Sequence, residues 1–343
     1  MVPMSGSLFL LEKKMAEIFD TLLLLALPAS GKSEVRNFLT NKDPEGFHMG
    51  ETIQLDDYPY VHIQLVIDEA LKAMGEPRIY HHDDDGDGRN GPFIDAYDWP
   101  ALIQLLNEDY HEILTGKAED PEHAAVRLFE RLDAAEVLVG GSAKIASLRP
   151  EVRAKLEAAL EDEARELFND KIKNVLASRE GKTIVIEFSR GGPDGENPEN
   201  LKKFYGYQGS LPWLSDELLR RAAILYIWVT PEESRRKNRD RAIPGADKSI
   251  LFHGTPESVM RQDYGMDDMV YLMDKSDREN TLRLEAHGNT YYVPVARFDN
   301  RRDLTTFARK DPKDWKPEEI QALDEGIRGA ALKLWDTYKA MHS

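Results

Sequence analysis

Four short stretches of the chain are almost continuously apolar and end in turn-forming or charged residues. Apolar side chains at successive positions are typical of strands buried on both faces, as in a parallel sheet covered by helices. The four stretches are residues 21–27, 183–188, 223–229 and 291–298, and a weaker fifth covers residues 52–55. This pattern predicts the strands of a five-stranded parallel sheet.

Helical periodicity fills the intervals between these strands. One long amphipathic helix is predicted from apolar residues that recur every three or four positions, namely Val152, Leu156, Leu160, Ala164, Phe168, Ile172 and Val175. Further helices are predicted at residues 34–39, 99–115, 123–139 and 215–222, with a closing helix within residues 311–343. The alternation of strands and helices predicts an α/β fold with helices on both faces of the sheet.

The second and third predicted strands are far apart in the chain. Residues 56–182 separate them, which is many more than a crossover helix requires, and helical patterns dominate the interval. We therefore expect a core formed by residues 1–60 and 181–343, with a large and mainly helical insertion at residues 61–180.

Composition narrows the classes of function. The 343 residues include 45 Lys plus Arg and 62 Asp plus Glu, for a formal net charge of -17, which argues against broad binding to nucleic acid or to an anionic membrane. The absence of cysteine excludes disulfides, thiolate metal sites and cysteine nucleophiles. No apolar run approaches the ~20 residues that span a bilayer, and charged residues interrupt the early apolar stretch. We expect a cytoplasmic protein without a membrane partner.

The strongest chemical signal directly follows the first predicted strand. The segment Ala26-Leu27-Pro28-Ala29-Ser30-Gly31-Lys32-Ser33 joins that strand to a predicted helix. In such a loop backbone N–H groups wrap a phosphate, the lysine reaches the β- and γ-phosphates and the hydroxyl can ligate Mg²⁺. Ala26 replaces the usual first glycine, and an ordinary strand-to-helix turn is the alternative. The residues expected to bind ATP here are Pro28, Ala29, Ser30, Gly31, Lys32, Ser33 and Glu34.

This loop resembles that of the P-loop kinases, the superfamily of nucleoside monophosphate, shikimate, adenylylsulfate and polynucleotide kinases. The resemblance implies a P-loop NTPase core and an ATP- and Mg²⁺-dependent phosphotransferase. In these kinases a carboxylate at the end of the second strand often meets the acceptor hydroxyl, and Asp56 and Asp57 fall at that place. Because neighbouring strand residues point to opposite faces, one of the two is expected to act. Capping of the following helix or turn is the alternative role.

The same resemblance assigns roles after the third strand. Glu187 stands where an acidic residue can hold a water of the Mg²⁺ shell, and Arg190 stands where an arginine can bind a substrate anion. The element resembles the Asp-Gly-Phe-Pro-Arg element of nucleotide kinases with one residue fewer. A structural carboxylate is the alternative for Glu187.

A basic cluster follows the fourth strand and comprises Arg235, Arg236, Lys237, Arg239 and Arg241. In the resembling kinases this place is the lid, here residues 231–265, whose arginines close over the transferring phosphoryl group. We expect Arg235 and Arg239 to act in catalysis and Arg236 to bind substrate. The alternative is a solvated helix whose basic residues pair with Glu232 and Glu233.

Two further loops carry weaker signals. The loop after the last strand often lies beside the adenine in the resembling kinases, which makes Asn300 a candidate contact with the base. The His- and Asp-rich loop at residues 81–91 matches the first positions of a calcium loop, but Ile94 replaces its last ligand. An exposed polar loop, an acceptor-binding loop and an irregular divalent-ion site all stay open.

Three functions are compatible with these observations. The leading one is an ATP- and Mg²⁺-dependent kinase acting on a small hydroxyl- or phosphate-bearing acceptor, which the helical insertion is expected to bind. The second is a nucleotide-binding and nucleotide-hydrolysing regulatory module, although the Asn-Lys-x-Asp element of switch GTPases is absent from the sequence. A polynucleotide 5′-kinase is less favoured, because a net charge of -17 does not suit a basic channel.

Overall fold

The computed structural model describes residues 17–40, 44–83, 90–241 and 254–342. The strands are β1 (Thr21–Leu25), β2 (Glu51–Asp56), β3 (His81–Asp83), β4 (Asn90–Phe93), β5 (Lys182–Phe188), β6 (Ala222–Trp228), β7 (Thr281–Ala286) and β8 (Asn289–Asp299). The helices are α1 (Lys32–Thr40), α2 (Pro44–Phe47), α3 (Tyr58–Ala73), α4 (Asp98–Thr115), α5 (Ala124–Leu138), α6 (Pro150–Leu176), α7 (Gly206–Ser210), α8 (Asp216–Leu219), α9 (Pro231–Arg241), α10 (Glu257–Gln262), α11 (Met269–Lys275) and α12 (Pro317–His342).

Six strands form one central sheet in the order β2-β5-β1-β6-β8-β7. The five strands from β2 to β8 are parallel to their neighbours, and β7 pairs antiparallel with β8 at the edge. The chain is therefore an α/β protein with a mostly parallel sheet. The prediction of five strands was one short, because β7 alternates buried and exposed residues along much of its length and lacks the continuous apolar run of a central strand.

The helix predictions are confirmed for α1, α4, α5, α6 and α12, with small changes at their ends. The helix predicted at residues 215–222 is shorter, since α8 ends at Leu219 and β6 already begins at Ala222. The side chain of Ser215 caps α8 by accepting a hydrogen bond from the backbone N–H of Leu218 at 3.2 Å. The sequence reasoning missed α3, which begins directly after Asp57 with a proline in its first turn.

Different helices cover the two faces of the sheet. On one face α1 and α12 pack against β1 and β6, for example through Val35 and Leu334 against Leu24 and Leu225. On the other face α4 packs against the sheet through residues that include Leu106. The inner strands are thus buried on both sides, which is why they form continuous apolar runs in the sequence.

The segment between β2 and β5 contains α3 to α6 and the antiparallel hairpin of β3 and β4. Its helices share a separate apolar cluster that includes Leu102, Leu128, Leu156 and Phe168. Because α4 contributes Leu102 to this cluster and Leu106 to the core of the sheet, it joins the two. Within the described ranges, no helix is both long and apolar enough to cross a membrane.

Candidate active site

The candidate site lies at the carboxyl ends of the parallel strands. From β1 the chain runs to β2 on one side, whereas from β5 it runs to β6 on the other side of β1. Connections that diverge in this way open a crevice beyond the strand ends, which is where open α/β sheets bind their ligands. The loop after β1, the two aspartates after β2 and the loop after β5 all lie at this edge.

The loop between β1 and α1 has an unusual backbone. Ala29 and Gly31 both have positive φ angles, of 57° and 99°. A Cβ added at Gly31 would lie 2.4 Å from Thr305 Oγ1, so only glycine fits there. Ala26 has no positive φ, which explains why a residue with a Cβ is tolerated where the sequence pattern usually has glycine. A left-handed non-glycine residue such as Ala29 is a strained conformation of the kind that clusters at functional sites.

The first backbone N–H groups of α1 have no hydrogen-bond acceptor in the described part of the chain. The first backbone hydrogen bond of the helix runs from Val35 N–H to Gly31 O at 2.9 Å. The preceding N–H groups, from Gly31 to Glu34, therefore lack intrahelical acceptors, and none of them donates to another acceptor in the described part of the chain. Converging N–H groups with the positive end of the helix dipole form an anion-binding site.

The side chain of Lys32 folds back over this loop. Its Nζ donates to Ser189 Oγ at 2.6 Å and lies 3.4 Å and 3.5 Å from the carbonyl oxygens of Ala26 and Leu27. Burial lowers the pKa of Lys32, while the carboxylates of Glu187 and Asp56 act in the opposite direction. The lysine is thus positioned by neutral oxygens next to the cradle of N–H groups.

Glu187 is buried beside the lysine. It pairs with Arg36 of α1, a partner that the sequence reasoning did not identify. Burial raises the pKa of Glu187, and the charges of Arg36 and Lys32 counteract this effect. Its carboxylate is thus held between α1 and the end of β5. The hydroxyl of Ser33, at the start of α1, has no hydrogen-bond partner among the described residues.

Asp56 ends β2 and lies opposite Glu187 in the sheet register. One carboxylate oxygen accepts a hydrogen bond from the backbone N–H of Tyr58 at 2.7 Å. The Asp56 side chain is exposed to solvent at the end of the strand. Desolvation by the surrounding protein atoms and the charges of Asp57 and Glu187 together raise the pKa of Asp56 to about 7. A carboxylate with a pKa near neutrality is suited to accept a proton.

Asp57 points into the protein and pairs with Arg190. The distance from Arg190 Nη1 to Asp57 Oδ2 is 2.6 Å, and both residues are buried. The guanidinium also donates to Ser210 Oγ at 2.9 Å, and to the carbonyl oxygens of Ser189 and Trp99. Each nitrogen of Arg190 is thus engaged, so binding a substrate anion would require it to release one of these partners. Asp56 and Asp57 therefore have different surroundings, as the alternation along a strand predicts.

The basic helix α9 is docked against the loop and is not isolated in solvent. Ser234 Oγ donates to Pro28 O at 2.7 Å. Every basic side chain selected from the sequence has acidic neighbours: Arg235 contacts Glu232 and Asp194, Arg236 contacts Glu233, Asp240 and Asp303, and Arg239 contacts Glu257. Pairing with Glu232 and Glu233 is the arrangement expected of the alternative interpretation. Residues 242–253 of the predicted lid lie outside the described residues.

Arg241, at the end of α9, differs from its neighbours. No ion pair or hydrogen bond engages it among the residues that the structure describes. Burial lowers the pKa of Arg241, and the nearby Glu34 acts in the opposite direction. Its charge also lowers the pKa of Lys32, so the two cations lie within electrostatic range of each other. Arg241 belongs to the predicted basic cluster, but no role is predicted for it, because the sequence does not show that it lies half-buried at the end of α9.

The side chain of Asn300 holds the loop between β1 and α1 in place by hydrogen bonds. Its side-chain amide donates to Ser30 O at 2.8 Å and to Thr305 Oγ1 at 2.9 Å, and its oxygen accepts from Leu304 N–H at 2.7 Å. The residue is fully buried. A contact between Asn300 and the adenine, expected from the sequence, would therefore require the loss of these bonds.

Replacing Asn300 with alanine should destabilise the protein without changing its choice of nucleobase. Buried groups of Ser30 and Leu304 would lose their partners, at a cost of about 1–3 kcal/mol in the free energy of unfolding. Chemical denaturation measures that loss, and titration with ATP and GTP measures the preference. A changed ratio of ATP to GTP affinity would instead support a contact with the base.

The described part of the His- and Asp-rich loop begins with a buried histidine. His81 is buried, and its Nδ1 lies 3.1 Å from Asp68 Oδ2. The Asp68 carboxylate also accepts the backbone N–H groups of Ile79, Tyr80 and His81 and so fixes the start of β3. Asp83 pairs with Lys72, and residues 84–89 lie outside the described residues. Across the described ranges, no group of three or more acidic or histidine side chains could hold a metal ion.

Comparison of the chain with protein-family models, with curated proteins and with solved structures finds no match.

Proposed function

We propose that the protein is an ATP- and Mg²⁺-dependent phosphotransferase that acts on a small hydroxyl-bearing acceptor. The observation that carries the proposal is a single juxtaposition at the carboxyl ends of β1, β5 and β2, which are neighbours in this order. Free N–H groups and Lys32 lie in the loop after β1, Lys32 contacts Ser189 after β5, and Asp56 ends β2 opposite Glu187. Phosphoryl transfer needs these two elements together, namely charge stabilisation for the phosphates and a proton acceptor for the incoming hydroxyl.

On this proposal the loop binds the donor through its backbone. The N–H groups of Gly31 to Glu34 donate to phosphate oxygens, and Lys32 exchanges its contacts with neutral oxygens for the β- and γ-phosphates. The unpartnered hydroxyl of Ser33 suits a Mg²⁺ ligand, and Glu187 can hold a water of its shell. The bound Mg²⁺ supplies neutralisation of the phosphate charge. A cation of this kind takes most of its ligands from phosphates and water, which fits a site with few protein carboxylates.

The acceptor reacts at the end of β2. Its hydroxyl oxygen forms a bond to the γ-phosphorus as the bond from that phosphorus to the bridging oxygen of ADP breaks, and its proton passes to Asp56. Asp57 positions this region through its pair with Arg190 and does not meet the acceptor. The charge of the transferring group is balanced by Lys32 and Arg241, and Arg235 and Arg239 would join them only after leaving their acidic partners.

A nucleotide-dependent regulatory module is the second candidate. The loop touches α9 through the bond from Ser234 to Pro28 and touches the segment after β8 through the bond from Asn300 to Ser30. Phosphates bound in the cradle could move these segments as a switch. Hydrolysis of ATP that no acceptor stimulates would favour this candidate. The polynucleotide kinase interpretation stays less favoured, because the chain carries a net charge of -17.

The turnover of the enzyme should rise with pH and reach half of its maximum near pH 7. Asp56 must be ionised to accept a proton, and surrounding carboxylates and burial raise its pKa to about 7. The raised pKa means that the protonated, inactive form dominates below neutrality. Rates measured from about pH 5 to about pH 9 test this expectation. Asp56→Asn should remove the rising limb, and a flat wild-type profile would argue against Asp56 as the base.

A panel of candidate acceptors tests the proposal as a whole. Small alcohols, sugars and phosphorylated compounds are each incubated with ATP and Mg²⁺, and the release of ADP is recorded. Stimulation by one class, together with the matching phosphorylated product detected by mass spectrometry, is the predicted result. The proposal would be wrong if ATP bound and turned over identically with every acceptor and no product gained a phosphoryl group.

A further inference from the structure

An aromatic cluster with a buried carboxyl group packs against Arg190, the partner of Asp57. The guanidinium of Arg190 lies 4.9 Å from the ring of Trp99, and Tyr264 packs edge-on against that ring at 5.8 Å. Asp263 precedes Tyr264 and is 1% exposed. Burial raises the pKa of Tyr264, and the charges of Asp57, Asp263 and Asp56 act in the same direction, so these three carboxyl groups lie within electrostatic range of its hydroxyl.

The arginines at this side of the site are already neutralised. Arg190 pairs with Asp57 and Arg36 pairs with Glu187, while Arg235 lies between Glu232 and Asp194. Among these described residues no guanidinium is left without an acidic neighbour. Arg241 has no ion pair among the described residues, but the proposed function assigns its charge to the transferring phosphoryl group. An anionic acceptor would therefore have to displace one of these pairs and would then approach Asp56, where like charges repel.

Two buried polar atoms of the aromatic cluster have no hydrogen-bond partner among the residues that the structure describes. They are Asp263 Oδ1 and Trp99 Nε1, and Trp99 is 3% exposed. Phe93 contacts both residues, since its ring packs on Trp99 at 4.7 Å and its backbone hydrogen-bonds to the Asp263 carboxyl group. Unpaired buried groups of this kind are costly, so they point to a polar molecule that completes the site when it binds. One group is an acceptor of hydrogen bonds and the other is a donor.

We propose that the phosphoryl acceptor is a small alcohol that also carries an ammonium group, with its hydroxyl at Asp56 and its ammonium group at Asp263; this inference rests on the phosphotransferase function proposed above. The ammonium group donates to Asp263 Oδ1, and an oxygen of the same molecule accepts from Trp99 Nε1. The aromatic rings of Tyr264 and Trp99 add favourable contacts with a cation.

Charge balance in the loaded enzyme favours this class over a phosphate-bearing acceptor. With ATP bound, the charge of Lys32 and that of Mg²⁺ are used by the phosphates. Asp56 and Asp263 then lack a cation, and burial already raises the pKa of Asp263 to about 7. An ammonium group supplies the missing charge and favours the ionised form of both carboxyl groups.

The test uses matched probes on two scaffolds, without nucleotide and at constant ionic strength. The first set is ethanolamine, ethylene glycol and glycolate, and the second is glucosamine, glucose and glucuronate. We expect the ammonium-bearing member of at least one set to raise the midpoint of thermal unfolding by about 2 °C or more near saturation, with no rise from the carboxylate member. Equal stabilisation by the carboxylate member, or none by any probe, would overturn the proposal.

Substitutions test whether Asp263 is responsible for the shift in the midpoint of thermal unfolding. Asp263→Asn keeps the shape and removes the charge, so it should fold and lose the preference for ammonium-bearing probes. Asp274→Asn, an exposed position on α11, makes the same change of charge and should keep the preference. Lys32→Ala should also keep it, because these probes do not use the phosphate cradle. One result distinguishes this proposal from the proposed function. If the enzyme transferred phosphate only to anionic acceptors, it would still be a phosphotransferase, but the preference for ammonium-bearing acceptors would be refuted.

Discussion

Lys32→Ala should abolish phosphoryl transfer, lowering kcat/KM by about 10³-fold or more, while the protein stays folded. The ammonium group contacts only Ser189 Oγ and two carbonyl oxygens within the described residues, so its removal breaks no ion pair of the structure. Its main partners on our account are the phosphates, whose charge grows on the bridging oxygen in the transition state. Steady-state kinetics and circular dichroism measure the two effects.

A matched control separates this effect from a loss of charge. Lys155→Ala removes an exposed lysine on α6 and should leave both activity and stability unchanged. If Lys32→Ala kept the wild-type rate, Lys32 could not be the residue that neutralises the phosphates, and the loop would be an ordinary turn.

The second large effect distinguishes two neighbouring aspartates. Asp56→Asn should lower kcat by about 10²–10⁴-fold with little change in ATP affinity, because only acceptance of the proton is lost. Asp57→Asn should act mainly on stability. It leaves Arg190 as a buried charge without its carboxylate, which costs about 3 kcal/mol or more in the free energy of unfolding.

Kinetics and denaturation of both variants resolve these roles. Asp162→Asn, at an exposed position of α6, is the control for loss of one carboxylate and should resemble the wild type. Full turnover in Asp56→Asn together with a strong loss of kcat in a stable Asp57→Asn protein would exchange the two assignments. Full turnover in both would make Glu187 the next candidate for the base.

Much of the sheet could be predicted from the sequence because its central strands are buried on both faces. β1, β5 and β6 form continuous apolar runs, and short runs of this kind with helices between them are typical of a covered parallel sheet. β7 was missed because it lies at the edge, where Arg283 and Glu285 alternate with buried residues. The order of the strands was not predictable, since the sequence does not show which connections between consecutive strands cross over another strand of the sheet.

The site was predictable where a short motif carries the chemistry and was not where partners come from distant segments. The loop with Lys32 and the aspartates after β2 follow from local sequence. The pair of Arg190 with Asp57 joins residues 133 positions apart, and Asn300 reaches Ser30 across 270 positions. Those contacts give Arg190 and Asn300 protein partners that binding of a substrate anion or of adenine would have to displace. No local pattern reports them.

The central claim is that the loop after β1 recognises the phosphates of ATP, and a competition titration tests it most directly. Binding of ATP with Mg²⁺ is measured by calorimetry in the presence of tripolyphosphate or adenosine. Our account predicts that tripolyphosphate displaces ATP and that adenosine does so far more weakly, because the free N–H groups of Gly31 to Glu34 and the ammonium group of Lys32 would bind the phosphates and not the nucleoside. Absence of ATP binding at millimolar concentrations, or competition by adenosine as strong as that by tripolyphosphate, would contradict it.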